Sequence, residues 1–528
     1  MTIFNGQYIA GTQSRAGTYE FSSVNPYTGI INGTFLNATA DEIDAASQAA
    51  QAAYAEIRNY PAAKLALLLD GIATAIEALG DDLLALTDSE TGLGIPRLTG
   101  ERTRTTAQLR KFAALLREGS YVEAIIDRAQ PQRQPAPRPD IRRMLFPIGP
   151  VAVFAASNFP YAFSVAGGDT ASALAAGCPV IVKAHPGHPA TSERIAYAIN
   201  QVVQQLGFPR GTFSLIQGDQ TDVGQALVKH PCISAVGFTG SLRAGRALCD
   251  SAAARPVPIP VYAEMGSINP TVLLPMAIST RFAALVDGLV TSVTLGTGQF
   301  CTNPGLIFVI DDEESRRFIT QFTEKMNTSQ PGVLINPAVQ GGLARAVAGT
   351  LALPTVERLT GGDVLDGPAC GYAHTVLMTD SASFRADERL QAEHFGPVTL
   401  FVRCSDFDDL IASLQVLEGN LTATVHACDD ELISASAIYA ILREKAGRLI
   451  WNGFPTGVEV VYAMQHGGPY PATSAPATTS VGMSAIKRFM RPIALQNMPD
   501  VLLPDALKDS NPLGIWRLVD EQMTRAAW

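Results

Sequence analysis

No two of the seven cysteines form a Cys-x-x-Cys pair and the seven histidines miss zinc-ligand spacings, so neither a dithiol redox motif nor a metal is expected. The cysteines, at 178, 232, 249, 301, 370, 404 and 428, are odd in number and scattered, which fits a reduced chain whose thiols mostly pack. Long basic runs are missing too, and 39 Lys and Arg against 49 Asp and Glu leave a formal charge of −10. Such a balance argues against a general phosphate-binding surface, so no nucleic-acid partner is expected. No run of about 18 consecutive apolar residues occurs, so no membrane span is expected. The opening MTIFNGQYIAG lacks a basic segment followed by an apolar one, so no secretory leader is expected and the location is expected to be cytoplasmic. Internal repeats and low-complexity tracts are absent.

What is present is ordinary globular material, 47% hydrophobic and 17% charged over 528 residues, enough for two or three packed domains. Thr39 with Glu42 makes a capping box ahead of an Ala-rich helix to Ile57. Leu65, Leu68, Leu69, Ile72, Ile76 and Leu79 recur at helical spacing, and a third helix is expected from about Glu101. The prolines and arginines of 128–147 break this pattern and suit an extended arm. From 148 short apolar runs alternate with helical stretches: PVAVFAAS, TASALAAG, PVIVKAH, the helix from Thr191, TFSLIQG, TDVGQALVKH, ISAVGFTG and SLRAGRALCDSAA. That repetition predicts an α/β fold with a parallel sheet covered on both faces, whose ligands sit at the carboxyl ends of the strands. A second α/β region spans about 268–488, and the last forty residues are Pro-rich and uneven.

Four polar residues stand where strands end or turns are sharp: Asn158 in AASNFP, Lys183 in VIVKAHP, Glu264 in VYAEMGSINP and Cys301 in GQFCTNPG. A nucleophilic thiol needs a base or a lowered pKa, and donors for the oxyanion that its attack creates. An Asn amide can donate to that oxyanion, and a carboxylate can activate water. Each residue alone reads equally well as a turn former or a loop carboxylate.

Taken in order, FPIGPV, SNFP, ALAAGCPVIVKAHP, GFTGS, AEMGSINP, GQFCTNPG and EHFGPV resemble the NAD(P)-dependent aldehyde dehydrogenase superfamily over about residues 20–490. The tract WNGFPTGVEVVYAMQHGGPYPATS is similar to the branch that holds 2-oxoglutarate semialdehyde (2,5-dioxopentanoate) dehydrogenases, which also resembles a bacterial fatty-aldehyde dehydrogenase. The resemblance implies a Rossmann-type cofactor domain (1–127 and 148–267), a catalytic domain (268–488), an oligomerisation arm (128–147 and 489–510) and a C-terminal tail (511–528). It implies attack by Cys301, an oxyanion held by Asn158, and Glu264 as the base for hydrolysis. It also implies a homodimer or homotetramer built through the arm; the alternative is an arm folded back on its own subunit.

For the cofactor there is no Gly-x-Gly-x-x-Gly, so the helix opening at Thr239, Gly240 and Ser241 must receive the pyrophosphate. The resemblance places Lys183 on the adenosine ribose, Glu393 on the nicotinamide ribose and Phe395 beside the nicotinamide. Many NAD-using relatives carry Glu three residues after that lysine; here it is Pro186, which leans the expectation to NADP with NAD tolerated. His185, His188 and Arg243 are candidates to help, or plain surface residues. For the substrate, Arg104, which shares a helix face with Gln108, is expected to meet a distal carboxylate, or else to be solvated or paired with Glu101. Phe159, Phe163 and Phe454 are expected to give apolar walls. The alternatives to a 2-oxoglutarate semialdehyde enzyme are a broad medium- or long-chain fatty-aldehyde enzyme and a catalytically silent binding protein on the same fold.

Overall fold

The computed structural model describes residues 3–528; Met1 and Thr2, which open the expected 1–127 segment, lie outside the described residues. Helices Ala40–Ile57, Ala62–Glu77, Gly80–Thr91 and Ile95–Glu118 form the first layer. The capping box forms: the Glu42 N–H donates to Thr39 Oγ1 at 3.2 Å, and the Glu42 carboxylate accepts from the Thr39 N–H at 2.8 Å. The fourth helix starts at Ile95, earlier than the sequence reading near Glu101. Gly94, at φ 84°, turns the chain, and Pro96 fits the first turn, where no N–H is needed.

The first sheet runs Val261–Glu264, Ala235–Thr239, Val151–Phe154, Val180–Lys183 and Phe213–Ile216, all parallel. Gln7–Ile9 and Thr12–Ser14 extend it antiparallel. Helices Gly168–Ala175, Pro189–Gln205, Thr221–Lys229 and Leu242–Ala253 link the parallel strands, which is why those strands are apolar at nearly every position. Register sets the chemistry: Phe154 lies opposite Lys183, and Thr239 opposite Glu264, so the strand ends reach one rim.

The second sheet orders Glu357–Thr360, Thr375–Asp380, Val398–Cys404, Leu306–Ile310, Thr271–Leu273, Asn420–His426 and Ala446–Trp451, parallel except for the first strand. Helix Pro275–Thr294 packs on it through Leu285, Val286, Leu289 and Val293. Pro275–Gly298 is long and apolar enough to cross a membrane by length and composition alone, although it holds no unbroken apolar run of about 18 residues. Its apolar face meets a helix, Glu313–Thr328, and the sheet instead.

A third sheet pairs Ile141–Pro147 with Met490–Gln496 over seven residues, and adds Ile125–Asp127, Arg517–Val519 and Gln522–Thr524. This moves three expected boundaries. Ile125–Asp127, read with the cofactor region, belongs to the arm sheet. The segment 511–528, read as a separate tail, supplies two strands of the same sheet. Residues 483–488, read with the second region, bury Met483, Ala485 and Ile486 in the core of the first.

Candidate active site

Cys301 sits in a turn after a short 3-10 segment, Leu295–Gly298, in which Gly296, Thr297 and Gly298 all take positive φ. A Cβ at Gly298 would stand 2.1 Å from the Gly396 carbonyl oxygen, so only glycine lets the two loops touch. Buried Asn269 pins the loop from behind, its Nδ2 donating to the carbonyls of Cys301 and Asn303 at 2.9 Å each. The sulfur is thereby presented to a cavity of about 460 Å³ that Asn158, Glu264 and Glu393 also line. Burial, and then the Glu264 charge, push the thiol pKa well above its ordinary value. Near neutral pH Cys301 is therefore a protonated thiol.

Glu264, at the end of its strand, is 4% exposed. Its Oε2 accepts from Ser480 Oγ at 2.8 Å, and its Oε1 lies 3.1 Å from His466 Nε2. The same His466 nitrogen lies 3.5 Å from Cys301 Sγ. Burial pushes Glu264 up, but His466 and the hydrogen bonds from His466, Ser480 and Cys301 outweigh it and hold the carboxyl below its usual value. The tautomer that suits a carboxylate neighbour carries its proton on Nε2, leaving His466 Nδ1 buried without a partner.

Asn158 follows the strand Val151–Phe154 and donates from Nδ2 to the Gln299 carbonyl at 3.1 Å, leaving its second amide hydrogen for an oxyanion. Its own carbonyl accepts from Arg97 Nη2 at 2.6 Å. The Arg97 guanidinium lies 5.2 Å from the Phe159 ring centre and 4.8 Å from that of Phe300. Arg97 thus ties the residue after Asn158 to the residue before Cys301 and fixes the gap between amide and sulfur.

On the dinucleotide side, Lys183 Nζ donates to the Gly218 carbonyl; burial lowers its pKa to about 8, partly offset by Asp219. Ser241 Oγ caps helix Leu242–Ala253 by accepting from the Ala244 N–H at 3.3 Å, and Thr239, Gly240 and Ser241 line the cavity. A Cβ at Gly240 would stand 2.6 Å from the Phe238 ring, so the approach to the helix start is kept open. Glu393 faces Gly266, whose Cβ would lie 2.6 Å from Oε2, and receives the Ser267 N–H at 3.4 Å. Burial, then Glu264, raise Glu393 to about 7. Phe395 and His185 line the cavity; His188 is buried against the Ala156 carbonyl, and Arg243 is exposed. A helix N-terminus and a carboxylate lining one cavity, with Lys183 at the neighbouring strand end and outside that lining, fit a dinucleotide.

Phe159 and Phe163 line the cavity with ring centres 5.4 Å apart. Arg104 lies on Phe163, 5.5 Å from its centre, and donates from Nε to the Val458 carbonyl at 3.3 Å. Its Nη1 is buried without a partner; the charge that acts on it most is that of Glu101, with Glu264 also in reach, and Arg104 itself stands behind Phe163, outside the cavity lining. Arg104 is partly exposed and forms no ion pair with Glu101 among the described residues; Glu101 Oε1 accepts from the Tyr161 and Ala162 N–H groups. Gln108 is buried close to Gly168. Phe454 corrects the sequence reading: its ring fills the notch at Gly288 and lies 4.9 Å from the His426 ring, away from the walls of the Cys301 cavity.

His466, Asn269 and Arg97 were not singled out from sequence. His466 lies in the quoted tract AMQHGGPYPATS, and its histidine beside two glycines was the one local signal.

The description "Aldehyde dehydrogenase family" matches residues 12–470. Alpha-ketoglutaric semialdehyde dehydrogenase 2 of Azospirillum brasilense is 46% identical over 518 residues, 98% of each chain. Alpha-ketoglutaric semialdehyde dehydrogenase of Acinetobacter baylyi is 44% identical over 525 residues, 99% of this chain and 98% of that one. The crystal structure of lactaldehyde dehydrogenase from Escherichia coli superposes with a TM-score of 0.80 at 23% identity, covering 93% of this chain and 98% of that one. With nearly its whole length matched and a thiol, an amide and a carboxylate gathered on one cavity, the chain belongs to the aldehyde dehydrogenase family.

Proposed function

We propose that this protein oxidises 2-oxoglutarate semialdehyde to 2-oxoglutarate with NADP, tolerating NAD. The observation that carries the substrate is Arg104, a partly exposed arginine whose Nη1 is buried without a partner and whose guanidinium lies on Phe163, a residue of the Cys301 cavity. An unpaired buried guanidinium nitrogen is costly unless an anion meets it, and the distal carboxylate of a short oxo-acid semialdehyde supplies one. The names of the two relatives at 46% and 44% identity agree with that substrate. A fatty aldehyde would leave Arg104 unanswered.

The residues act in sequence. The Cys301 thiol gives its proton to the Glu264–His466 pair, and the sulfur adds to the aldehyde carbon, forming a thiohemiacetal. The second Asn158 amide hydrogen and the Cys301 N–H hold the new oxyanion; one such donor is worth about 3 kcal/mol. Lys183, the Ser241 helix start and Glu393 would hold the dinucleotide, whose chemistry when bound is to accept the hydride from that carbon. The carbon is then a thioester on Cys301. The proton first taken from the thiol passes to solvent, so Glu264 can take a proton from water. The water oxygen bonds to the thioester carbon and the carbon–sulfur bond breaks. The thiolate regains a proton from Glu264, and the released acid loses its own to solvent. The phenylalanine walls keep other water from the thioester.

For the dinucleotide, Pro186 leaves no carboxylate three residues after Lys183 to repel a 2′-phosphate. Asp219 is the acid whose charge reaches Lys183; it is exposed, and Asn37 Nδ2 holds its Oδ1 at 2.9 Å. Steady-state rates for 2-oxoglutarate semialdehyde and hexanal, each with NADP and NAD, test the proposal. A higher kcat/KM for hexanal would overturn the substrate, and a higher kcat/KM with NAD the cofactor preference.

A further inference from the structure

The Cys301 sulfur, His466 Nε2 and a Glu264 carboxylate oxygen all lie within 4.8 Å of one another, with edges of 3.5 Å from sulfur to nitrogen and 3.1 Å from nitrogen to oxygen. A tetrahedral zinc ion with bonds of about 2.0–2.3 Å needs ligand atoms roughly 3.3–3.8 Å apart, so small side-chain adjustments close the set. We propose that Cys301, His466 and Glu264 form a three-ligand site for a thiophilic divalent cation, zinc above all, whose binding reversibly silences the enzyme.

Three arguments carry it. The donor set is one sulfur, one nitrogen and one oxygen, which selects zinc or cobalt(II) over magnesium or calcium, ions that favour all-oxygen shells. Charge is met locally: binding of M²⁺ sends the thiol proton to solvent, and the thiolate and carboxylate cancel the ion's two charges, while the nearby Arg104 cation opposes the ion and keeps its binding weak. Cys301 and Glu264 line the open cavity, so an ion can enter from there and water can complete the coordination. To offer its Nε2 lone pair, His466 moves its proton to Nδ1, which has no acceptor among the described residues. That missing support weakens the site by about 10- to 100-fold relative to a supported one, which makes it a reversible brake and not a permanent centre. Glu393 also lines the cavity, but its carboxylate is turned to Gly266 and the Ser267 N–H. The inference does not depend on which aldehyde or dinucleotide is used.

The test is metal binding to the full-length protein without substrate or dinucleotide. Equilibrium dialysis against zinc chloride is expected to leave one zinc per chain, and cobalt(II) to give a near-ultraviolet thiolate charge-transfer band. Both are expected to be lost in Cys301→Ser and weakened at least about tenfold in His466→Ala, while Cys428→Ser and Cys249→Ser keep them. Zinc is further expected to shield Cys301 of the unaltered protein from iodoacetamide, read by peptide mass spectrometry, until EDTA is added. This readout needs no variant to fold. No retained zinc, zinc retained unchanged in Cys301→Ser, or alkylation of Cys301 at the same rate with zinc present would each overturn the proposal.

Discussion

His466 Nε2 stands 3.1 Å from Glu264 Oε1, although the two residues are 202 positions apart in the chain. Because the same nitrogen is 3.5 Å from the Cys301 sulfur, the imidazole links the thiol, the proposed nucleophile, to the carboxylate proposed as its base. Replacing it with alanine removes the donor that orients Glu264 and steadies the thiolate. His466→Ala is expected to lower kcat by about 10²-fold with little change in KM, and His466→Gln, which keeps a donor, to recover part of the loss. Equal losses in both variants, or a pure KM effect, would contradict this role.

Arg104→Ala removes the unpaired buried guanidinium nitrogen from the substrate wall. KM for 2-oxoglutarate semialdehyde is expected to rise about 10- to 100-fold, the cost of a lost charged hydrogen bond. Hexanal oxidation is expected to stay near its original rate. Equal effects on the two aldehydes would refute the carboxylate contact.

Asp219 acts on Lys183 by charge alone, from an exposed loop. Asp219→Asn keeps the shape and removes the repulsion toward a 2′-phosphate. The ratio of NADP to NAD affinity, measured by fluorescence titration, is expected to rise about three- to tenfold. A fall in that ratio would place the ribose elsewhere.

Glu393 gives a pH signature in the protein without ligand. Burial, then Glu264, hold its carboxyl at about 7 instead of 4.5. A folded pKa above the unfolded one adds stability that is complete below about 4.5 and is lost as pH rises through about 7. Above that range the folded state is poorer by about 3 kcal/mol. Glu393→Gln is therefore expected to melt at a higher temperature than the parent at pH 8 and close to it at pH 5, while binding dinucleotide more weakly. A constant difference in melting temperature across that range would contradict the assignment.

Much of the site could be read without coordinates because Asn158, Lys183 and Glu264 each end a strand or follow one, and parallel strands deliver their ends to one rim. Thr239 to Ser241 obey the same rule at a helix start. His466, Asn269 and Arg97 escaped because they act on partners distant in sequence, through ring stacking and carbonyl contacts that leave no periodic trace. Phe454 misled for the converse reason: an apolar ring near a motif looks like a wall, and only the notch at Gly288 shows where it goes. The 511–528 segment lacks the alternation of a buried strand, since its two strands are short and form one end of the arm sheet.

The proposed reaction passes through a covalent step at one sulfur, Cys301. Glu264→Gln is expected to stall hydrolysis, so acid-quenched enzyme mixed with NADP and 2-oxoglutarate semialdehyde should carry an acyl thioester on the Cys301 peptide and on no other cysteine. Peptide mass spectrometry showing steady NADPH formation with Cys301 unmodified, or the acyl group on another residue, would contradict it.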